Sequence, residues 1–528
     1  MEALLYAREI FVNHNPNPQQ VTVFGEPLDL GGFRNMVHNC DLSLPITIAV
    51  EIDLAGELLS GSPRFEPRVV HHVGLSERCL DCLGKVQRVS VVVSVCWDPI
   101  LSVPYFASYR VELNDGFFCK LSAMPPSERI QQYEDVDQEQ FLRWYMNLKP
   151  YFLQTVVNTK HPIFGKEKSR KSPNLFHQLS NRILNDTSDW HWSGNSPEPR
   201  SFGIIYTRCA GALPDWEQTV SASEKKSDLT EGEEGYEEDE EDLDGYYRNE
   251  LDEGYDDLLG RCILTPGLAV QGLLRSLRYL GPLRARPPRV LEQDEPVSTF
   301  GLYSGLGVWE ELFTVTPEKE AEINQWLEDE NRLDMGYKII VKRFREFESS
   351  QISKLEAGAA PDSSETKELI RKMPERARVV LKKSATGREL NPRDVGTGAS
   401  QLIPVVIAAV LSKDQIVTIE QPELHIHPAL QSKIADLFIA QIQDGNNLFL
   451  LETHSEHLML RLLRRIRETS EDTLPADAHP LTPDQVGVIF MEPAGSAVSV
   501  HPLRIDKTGE FTDRWPRGFF EEREEELF

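Results

Sequence analysis

Two short apolar runs, each followed by a glutamate, constrain the fold of this 528-residue chain more than any other feature. The first run, residues 416–419, is continuous and β-branched, and Glu420 follows it. The second predicted strand, residues 447–451, consists of Asn447 and four apolar residues, and Glu452 follows it. Runs of this length and composition are typical of parallel strands that are buried on both faces. We therefore predict two neighbouring parallel strands with an acid at the carboxyl end of each.

The residues after the two runs supply the chemistry of a ligand site. Gln421 and Glu423 follow Glu420, and His454 follows Glu452. Open α/β sheets bind ligands at the carboxyl ends of their strands, where a carboxylate commonly holds Mg²⁺ directly or through water. We expect these side chains to meet in one crevice.

A glycine-rich segment precedes the first run. Gly396 and Gly398 flank a threonine, and Ser400 and Gln401 then open an apolar helix. Flexible backbone amides at a helix N-terminus favour phosphate, because the unsatisfied N–H groups and the helix dipole both attract anions. The alternative is an ordinary turn before a helix.

Periodicity predicts the main elements of the rest of the chain. We expect an antiparallel β subdomain between residue 21 and about residue 124. The predicted helices cover residues 1–11, 137–160, 266–280 and 318–333, a further strand covers residues 337–344, and residues 355–366 are predicted to be a loop.

Residues 224–257 form a strongly acidic segment. They contain 17 Asp and Glu against three Lys and Arg, which accounts for half of the net charge of −28. A segment of this composition buries too little apolar surface to offset its ordering entropy, so we predict a disordered insertion. The predicted divisions of the chain are residues 1–125 (N-terminal lobe), 126–222 (helical or irregular), 223–258 (acidic insertion), 259–350 (helical connector and strand) and 351–528 (C-terminal lobe).

Composition narrows the class of protein. Hydrophobic residues make up 40% and charged residues 27%, which is ordinary for a globular protein. The longest apolar run, residues 402–411, is far shorter than the ~20 residues that span a bilayer, so we expect no membrane segment. The N-terminus has no secretory pattern, and the seven cysteines fit a reducing cytoplasm.

Four other patterns have both a functional and a structural interpretation, and we favour the structural one for each. No HExxH or Ser-His-Asp elbow occurs. The patterns are a zinc site at Cys79 and Cys82 with His71 and His72; a metal cluster at Glu423, His425 and His427; DNA contact by the basic residues 165–171; and DNA contact by Arg461, Arg464, Arg465 and Arg467.

Three segments together resemble a known family. They are GTGASQ (396–401), IVTIEQPELHIHP (416–428) and LLETHSEH (450–457). They are similar to the signature motif, the Walker B strand with its D-loop and the switch histidine of ABC-type ATPases of the RecF, SMC and OLD group. The runs 25–41, 279–284 (YLGPLR) and 505–520 resemble a bacterial subfamily of ABC-like AAA ATPases that ends in an uncharacterised domain.

The resemblance implies a role for each matching residue. Glu420 corresponds to the Walker B acid that holds Mg²⁺, and His454 to the histidine that contacts the γ-phosphate of ATP. Gln421 stands where most members carry the catalytic glutamate. An amide orients water but is a poor base, so Gln421 and Glu423 both remain candidates for activating the attacking water.

The glycine-rich segment corresponds to the signature loop of the family. Gly396, Gly398, Ser400 and Gln401 match the residues that cap ATP bound by the opposite subunit. The resemblance therefore implies a homodimer that closes head to tail on two ATP molecules.

One family motif is missing, since GxxxxGK[ST] occurs nowhere in the sequence. Family members place this phosphate loop just before a helix, and the chain begins in what is predicted to be that helix. Our hypothesis is that Met1 corresponds to an internal methionine after a lost P-loop. The rival is a degenerate ATPase that persists as a nucleotide-binding or protein-interaction scaffold.

These observations predict an α/β P-loop NTPase of the ABC/SMC-head type with an antiparallel β subdomain and a helical middle region. The expected function is ATP binding and hydrolysis with Mg²⁺ in the cytoplasm. The resemblance also implies DNA repair or phage defence, with a nuclease or other effector and DNA as partners.

Overall fold

The computed structural model describes residues 1–23, 26–28, 30–53, 83–130, 154–157, 209–210, 212–214, 216, 243–287, 304–345 and 375–516. The chain divides into two compact units. The N-terminal unit comprises Glu2–Val21 and Leu28–Arg275, and the C-terminal unit comprises Met1, Thr22–Pro27 and Ser276–Phe528.

The elements up to residue 275 are mainly strands. The helices are α1 (Glu2–Asn13), α2 (Gly32–Met36), α3 (Pro126–Ile130) and α4 (Leu243–Arg275), with 3₁₀ turns at Pro18–Gln20 and His38–Cys40. The strands are β1 (Val21–Val23), β2 (Glu26–Leu28), β3 (Ile46–Asp53), β4 (Arg88–Asp98), β5 (Val103–Leu113), β6 (Gly116–Ser122), β7 (Gln154–Val157), β8 (Cys209–Ala210) and β9 (Leu213–Pro214).

An antiparallel sheet of five strands, in the order β3-β4-β5-β6-β7, forms the centre of the N-terminal unit. Every second residue of β4 from Val89 to Val95 is buried, as the alternation of a sheet with one covered face requires. The predicted antiparallel subdomain is therefore present. The structure differs at β7, which lies in a segment predicted to be helical; its Thr-Val-Val sequence favours a strand paired with β6. Residues 137–153 lie outside the described residues.

Helix α1 confirms the predicted N-terminal helix and packs against α4. The indole of Trp216 donates to the carbonyl of Phe11 at 3.0 Å. Helix α4 differs from the prediction, because it begins at Leu243 inside the acidic segment and ends at Arg275, with Pro266 in its interior. Helix α4 includes the buried residues 262–264. Extending a helix from such a stretch into a charged sequence costs less free energy than nucleating a new helix, so α4 reaches into the acidic segment. Residues 217–242 lie outside the described residues.

The C-terminal unit contains most of the elements after residue 275. The helices are α5 (Leu306–Glu310), α6 (Pro317–Glu328), α7 (Thr397–Leu411), α8 (Pro428–Gly445) and α9 (Glu456–Ser470), with 3₁₀ turns at Glu311–Thr314, Pro392–Asp394 and Pro483–Gln485. The strands are β10 (Leu277–Leu280), β11 (Tyr337–Arg345), β12 (Glu375–Lys383), β13 (Glu389–Leu390), β14 (Ile416–Glu420), β15 (Leu448–Glu452), β16 (Val488–Ala494) and β17 (Ala497–Leu503).

A parallel sheet in the order β10-β14-β15 organises this unit. The predicted parallel strands are confirmed as β14 and β15, which are neighbours. The interior of β14 is buried as expected, whereas Leu448 and Leu450 of β15 are exposed, so one face of β15 is uncovered. Strand β10 differs from the prediction, because residues 277–280 were expected to end a helix. All four residues of β10 are buried, so both faces of the segment are covered, as in a strand inside a parallel sheet.

Helix α7 lies in the core, and its residues from Ser400 to Val410 are all buried. A helix that is apolar all round belongs inside a protein, and here α6, α8 and β14 pack against it. Strands β11, β12 and β13 form a separate antiparallel sheet. Strand β11 confirms the prediction for residues 337–344. Helix α6 confirms the helix predicted for residues 318–333 but ends earlier, at Glu328. The predicted loop 355–366 lies outside the described residues.

The C-terminal end contains the β16–β17 hairpin and a tight turn against α9. In this turn the carboxylate of Asp506 accepts from the backbone N–H groups of Thr508 and Glu510, at 2.8 and 3.0 Å. Gly509 has a φ of +74°, and a Cβ there would clash with the carbonyl of Leu463. The described residues include no helix that is long and apolar enough to cross a membrane.

Candidate functional site

The carboxyl ends of β14 and β15 bring two glutamates side by side. Glu420 and Glu452 are partners in the parallel register, and the N–H of Gln421 donates to the carbonyl of Glu452 at 2.7 Å. The side chain of Glu420 is half-buried and that of Glu452 is exposed. Both predicted strand ends therefore meet at one edge of the sheet, where open α/β folds bind ligands.

A tyrosine on the neighbouring strand fixes the carboxylate of Glu420. The hydroxyl of Tyr279 donates to Oε1 of Glu420 at 2.7 Å, and Tyr279 itself is buried. Tyr279 begins the YLGPLR run, but no sequence motif predicts a role for it. Its contact with Glu420, 141 positions later in the chain, depends on the pairing of β10 with β14.

Arg284, at the end of the same run, is a second residue that sequence reasoning missed. Its Nη2 group donates to the carbonyl of Glu420 at 2.7 Å and to that of Gln421 at 3.3 Å. Its backbone N–H and carbonyl bind the side-chain amide of Gln401, at 3.2 and 2.7 Å. Arg284 thus joins the end of β14 to the first turn of α7.

The guanidinium of Arg284 lies in an unusual environment for a cation. Only 3% of the residue is exposed. Burial lowers the pKa of Arg284 to about 10, and attraction to Glu423 and Glu420 opposes this shift. The Nε and Nη1 groups are buried and have no hydrogen-bond partner among the described residues. An unsatisfied buried donor costs about 1–3 kcal/mol, so two of them on one side chain require an explanation.

The turn after β14 places Glu423 beside the switch segment. Gln421 and His425 both have positive φ, at 43° and 63°, which costs a non-glycine residue energy and is frequent at functional sites. Oε1 of Glu423 accepts from the backbone N–H of His454 at 2.7 Å, whereas Oε2 is buried without a hydrogen-bond partner. Glu423 therefore connects the two strand ends.

The residues around His454 are ordered by the start of α9. The hydroxyl of Ser455 caps the helix by accepting from the N–H of Leu458 at 3.1 Å, and it donates to Gln431 at 2.8 Å. His454 is exposed. The cap holds the backbone of the segment while the imidazole faces solvent.

The predicted signature loop is divided between exposed and buried residues. Gly396 is exposed at the N-cap of α7, and Gly398 is half-buried. A Cβ at position 398 would lie 3.1 Å from the carbonyl oxygen of His425, which is a tight contact. Ser400 is fully buried, and its hydroxyl donates to the carbonyl of Thr397 at 2.8 Å. Gln401 is buried as well, in its contact with Arg284.

The donor set at the strand ends fits Mg²⁺ bound with a nucleotide. Mg²⁺ prefers oxygen ligands and is usually held by one or two carboxylates together with substrate phosphates. The described residues contain no cluster of three or more His, Cys, Asp or Glu suited to a metal held by protein alone. Glu420 would be the protein ligand, and the buried cation of Arg284 suits a polyanion.

Of the other predicted patterns, two contain residues that have structural partners, and two lie outside the described residues. His427 accepts from the N–H of Ala429 at 3.2 Å and so caps α8. Asp436 pairs with Arg461 and Arg465, and Glu468 pairs with Arg464 and Arg465, all at 2.6 Å. The cysteine and histidine pairs at 71–82 and the basic residues 165–171 lie outside the described residues.

Parallel strands that end in carboxylates, next to a helix that begins after a glycine, define an α/β fold, and open α/β sheets bind ligands at such strand ends. Residues 308–459 match the family model described as the AAA ATPase domain (AAA_15). Residues 481–528 match the model of a protein of unknown function (DUF3696). The predicted order of an AAA ATPase domain followed by an uncharacterised C-terminal domain is confirmed.

The AAA ATPase domain implies the α/β fold of P-loop NTPases, and with it nucleotide binding. All eight predicted site residues lie inside the matched range, whereas Tyr279 and Arg284 precede it. A search of curated proteins found no match.

Proposed function

We propose that this chain binds ATP with Mg²⁺ and hydrolyses it at the carboxyl ends of β14 and β15. The observation that carries the proposal is the position of Glu420, a carboxylate at the end of a parallel strand that Tyr279 holds in place. Its location within the AAA ATPase match supports the same reading.

Glu420 holds the metal in this proposal. Tyr279 engages one of its oxygens, which leaves the other for Mg²⁺ or a metal-bound water. A metal ion held there would supply positive charge that offsets the charge developed during phosphoryl transfer. The hydrogen bond from Tyr279 orients the carboxylate, as partners of metal ligands commonly do.

Glu423 is the better candidate for activating water. It keeps a buried carboxylate oxygen without a partner, and its other oxygen is fixed by the N–H of His454. A carboxylate accepts a proton, whereas the amide of Gln421 only orients water. We therefore assign the base role to Glu423 and the orienting role to Gln421, with His454 at the γ-phosphate.

The glycine-rich loop serves the opposite subunit of an ABC-like homodimer. Gly396, which is exposed, and Gly398, which is half-buried, lie at a helix start, where backbone N–H groups favour an anion. Ser400 and Gln401 hold the loop from inside through their contacts to Thr397 and Arg284. In this arrangement the head-to-tail dimer completes each site with the partner's loop.

Hydrolysis by purified wild-type protein, Glu420→Gln and Glu452→Gln tests the proposal. Both substitutions keep the size of the side chain and remove one carboxylate at neighbouring strand ends. We expect Glu420→Gln to lower kcat by about 100-fold or more, because a bound metal ion stabilises the transition state by several kcal/mol. Glu452→Gln, which alters an exposed carboxylate, should have a much smaller effect. Equal rates for wild type and Glu420→Gln would refute the site.

A nucleotide-binding scaffold without turnover is the second candidate. The amide of Gln421, in the position next to the strand end, is the observation that favours it. This candidate predicts that wild-type protein binds Mg·ATP in calorimetry and releases no phosphate over hours. Phosphate release that requires Glu420 would reject it.

Partners beyond a second copy rest on the family resemblance alone. That resemblance suggests DNA repair or phage defence beside a nuclease or another effector, with DNA as a ligand. The ion pairs of Arg461, Arg464 and Arg465 with acidic residues of α8 and α9 engage these arginines within the protein. ATP-dependent DNA binding with a steep salt dependence would support the DNA role.

A further inference from the structure

A glycine of the C-terminal segment touches the backbone of α9, the helix that follows His454. Gly509 is buried, and a Cβ at this position would clash with the carbonyl of Leu463 and lie 3.4 Å from Cβ of Arg467. Residues 505–512, which we name the C-terminal turn, therefore approach α9 so closely that only a glycine fits. This turn lies within the match to the domain of unknown function, which assigns the contact no role.

The C-terminal turn is held in shape by its own hydrogen bonds. The carboxylate of Asp506 accepts from the hydroxyl of Thr508 at 2.6 Å and from the N–H groups of Thr508 and Glu510 at 2.8 and 3.0 Å. Ile505 and Phe511 form a β-bridge across the turn. A turn with this many bonds resists deformation, so it presents Gly509 to α9 at a fixed position.

Helix α9 lies between α8 and the C-terminal turn. Arg465 of α9 pairs with Asp436 of α8 at 2.6 Å. Arg467, whose Cβ lies against Gly509, is two residues later, which is about 200° around the helix axis. The turn and α8 therefore hold nearly opposite faces of α9, and the position of the helix depends on both.

The position of α9 affects the candidate site through His454. This histidine precedes the N-cap residue Ser455, whose hydroxyl accepts from the N–H of Leu458 at 3.1 Å. The contact of α9 with Gly509, at Leu463, is about 12 Å along the helix from Ser455. Packed helices shift as units, by about 1–2 Å in known transitions, so a displacement at this contact also moves the start of α9.

We propose that Gly509 is a positioning residue, which sets the distance between the C-terminal turn and α9 and so holds His454 at the strand ends. This assignment rests on the proposed function, in which His454 contacts the γ-phosphate. The domain of unknown function then acts on the site from outside, because its turn fixes the helix that begins beside the switch histidine. A misplacement of about 1 Å can cost a catalytic site about 100-fold in rate.

Gly509→Ala tests this assignment, with Gly495→Ala as the matched control. Both glycines lie in the C-terminal domain and have positive φ, at 74° and 64°, so an alanine strains the backbone at either position. A Cβ at Gly495, in the turn of the β16–β17 hairpin, has no neighbour within 4 Å. The two variants therefore share the strain and differ in the contact with α9. Thermal unfolding shows whether each is folded.

ATP hydrolysis is the first readout. We expect Gly509→Ala to lower kcat by about 10-fold or more and Gly495→Ala by less than about 2-fold. In a His454→Ala background, Gly509→Ala should lower kcat by less than about 2-fold further, because two changes that act through one side chain are not additive. A loss that is merely structural would be the same in both backgrounds.

The NMR signal of His454 is the second readout, and it requires no turnover. In protein with ¹³C-labelled histidine, the Cε1–H signal of His454 is assigned by its loss in His454→Ala. We expect this signal to shift in Gly509→Ala and to stay in place in Gly495→Ala. If Gly509→Ala does not fold, Asp506→Ala replaces it; this change removes the hydrogen bonds that shape the turn, and the same two effects are expected.

The outcomes separate failure of this assignment from failure of the proposed function. Equal kcat values for the folded turn variant and Gly495→Ala, or an equal loss with and without His454, would overturn the role of Gly509 and leave the proposed function intact. If the wild-type protein hydrolyses no ATP, the proposed function fails. The NMR signal then decides alone: an unshifted His454 signal in the turn variant would overturn the positioning role, and a shift specific to that variant would support it.

Discussion

Replacement of Tyr279 by phenylalanine removes one hydroxyl and one hydrogen bond, the 2.7 Å contact with Oε1 of Glu420. Hydrogen bonds to charged groups contribute about 1.5–3 kcal/mol, and the half-buried Glu420 places this one near the lower value. For a unit of this size, about 1.5 kcal/mol lowers Tm by roughly 3–6 °C. The ring of Tyr279 stays in place, so the packing of β10 is preserved.

The functional effect of Tyr279→Phe should exceed its structural effect. Loss of a hydrogen-bond partner from a metal ligand commonly weakens metal binding about 10- to 100-fold. We therefore expect the Mg²⁺ concentration that gives half-maximal ATP hydrolysis to rise about 10-fold. Titration of Mg²⁺ at saturating ATP, with phosphate release as the signal, measures this shift.

Thr418→Val provides the matched control. The hydroxyl of Thr418 donates to the carbonyl of Arg278 at 3.1 Å, so it also joins β14 to β10, two residues before Glu420. Its loss should cost about 0.5–1.5 kcal/mol of stability and leave the Mg²⁺ dependence near that of wild type. If Tyr279→Phe and Thr418→Val gave the same Mg²⁺ dependence, the reasoning that Tyr279 orients a metal ligand would be wrong.

Two further predictions concern Glu423 and Glu468. Glu423→Gln should lower kcat about 10²- to 10⁴-fold with little change in the affinity for Mg·ATP, because it removes a base and keeps the shape of the side chain. If Glu423→Gln kept wild-type activity while Gln421→Ala abolished it, the two roles would be reversed. Glu468 loses part of its solvation by burial, but its hydrogen bonds with Arg464 and Arg465 lower its pKa. The unfolded chain therefore binds this proton more readily, so the pair stabilises the fold above the ordinary pKa near 4.3 and loses that effect as pH falls through the folded-state pKa. In urea unfolding, Glu468→Gln should be less stable than wild type at pH 7, with the difference shrinking at pH 4; a difference that is constant with pH would contradict the ion-pair account.

The strand ends could be predicted from the sequence because their signal is local. A short β-branched run followed by Glu420 specifies both a buried strand and the place of its acid, and the structure has β14 and β15 as neighbours. The signal for helix α7 is local in the same way, because the helix begins at Thr397 directly after Gly396.

Tyr279 and Arg284 could not be found in this way, because their roles depend on contacts with residues more than 100 positions later. The segment 277–280 was predicted to end a helix, and only its place beside β14 makes it a strand. The signal that could have identified Arg284 was the YLGPLR run itself, in which an arginine follows an apolar segment. The run alone indicates neither the burial of Arg284 nor its hydrogen-bond partners.

The start of α4 and the strand β7 differ from the predictions for a related reason. Acidic composition predicted disorder through residue 257, but α4 begins at Leu243 and continues into buried residues. At β7, apolar periodicity favoured a helix, while pairing with β6 places residues 154–157 in the sheet. Both outcomes depend on a neighbouring element that local sequence does not specify.

The central claim is that Mg²⁺ and ATP bind where β14 and β15 end. A crystal structure with Mg²⁺ and β,γ-imido ATP tests it most directly. The account predicts Mg²⁺ at about 2.0–2.1 Å from Glu420, or one water molecule away. Nucleotide and metal bound away from Glu420 would contradict it.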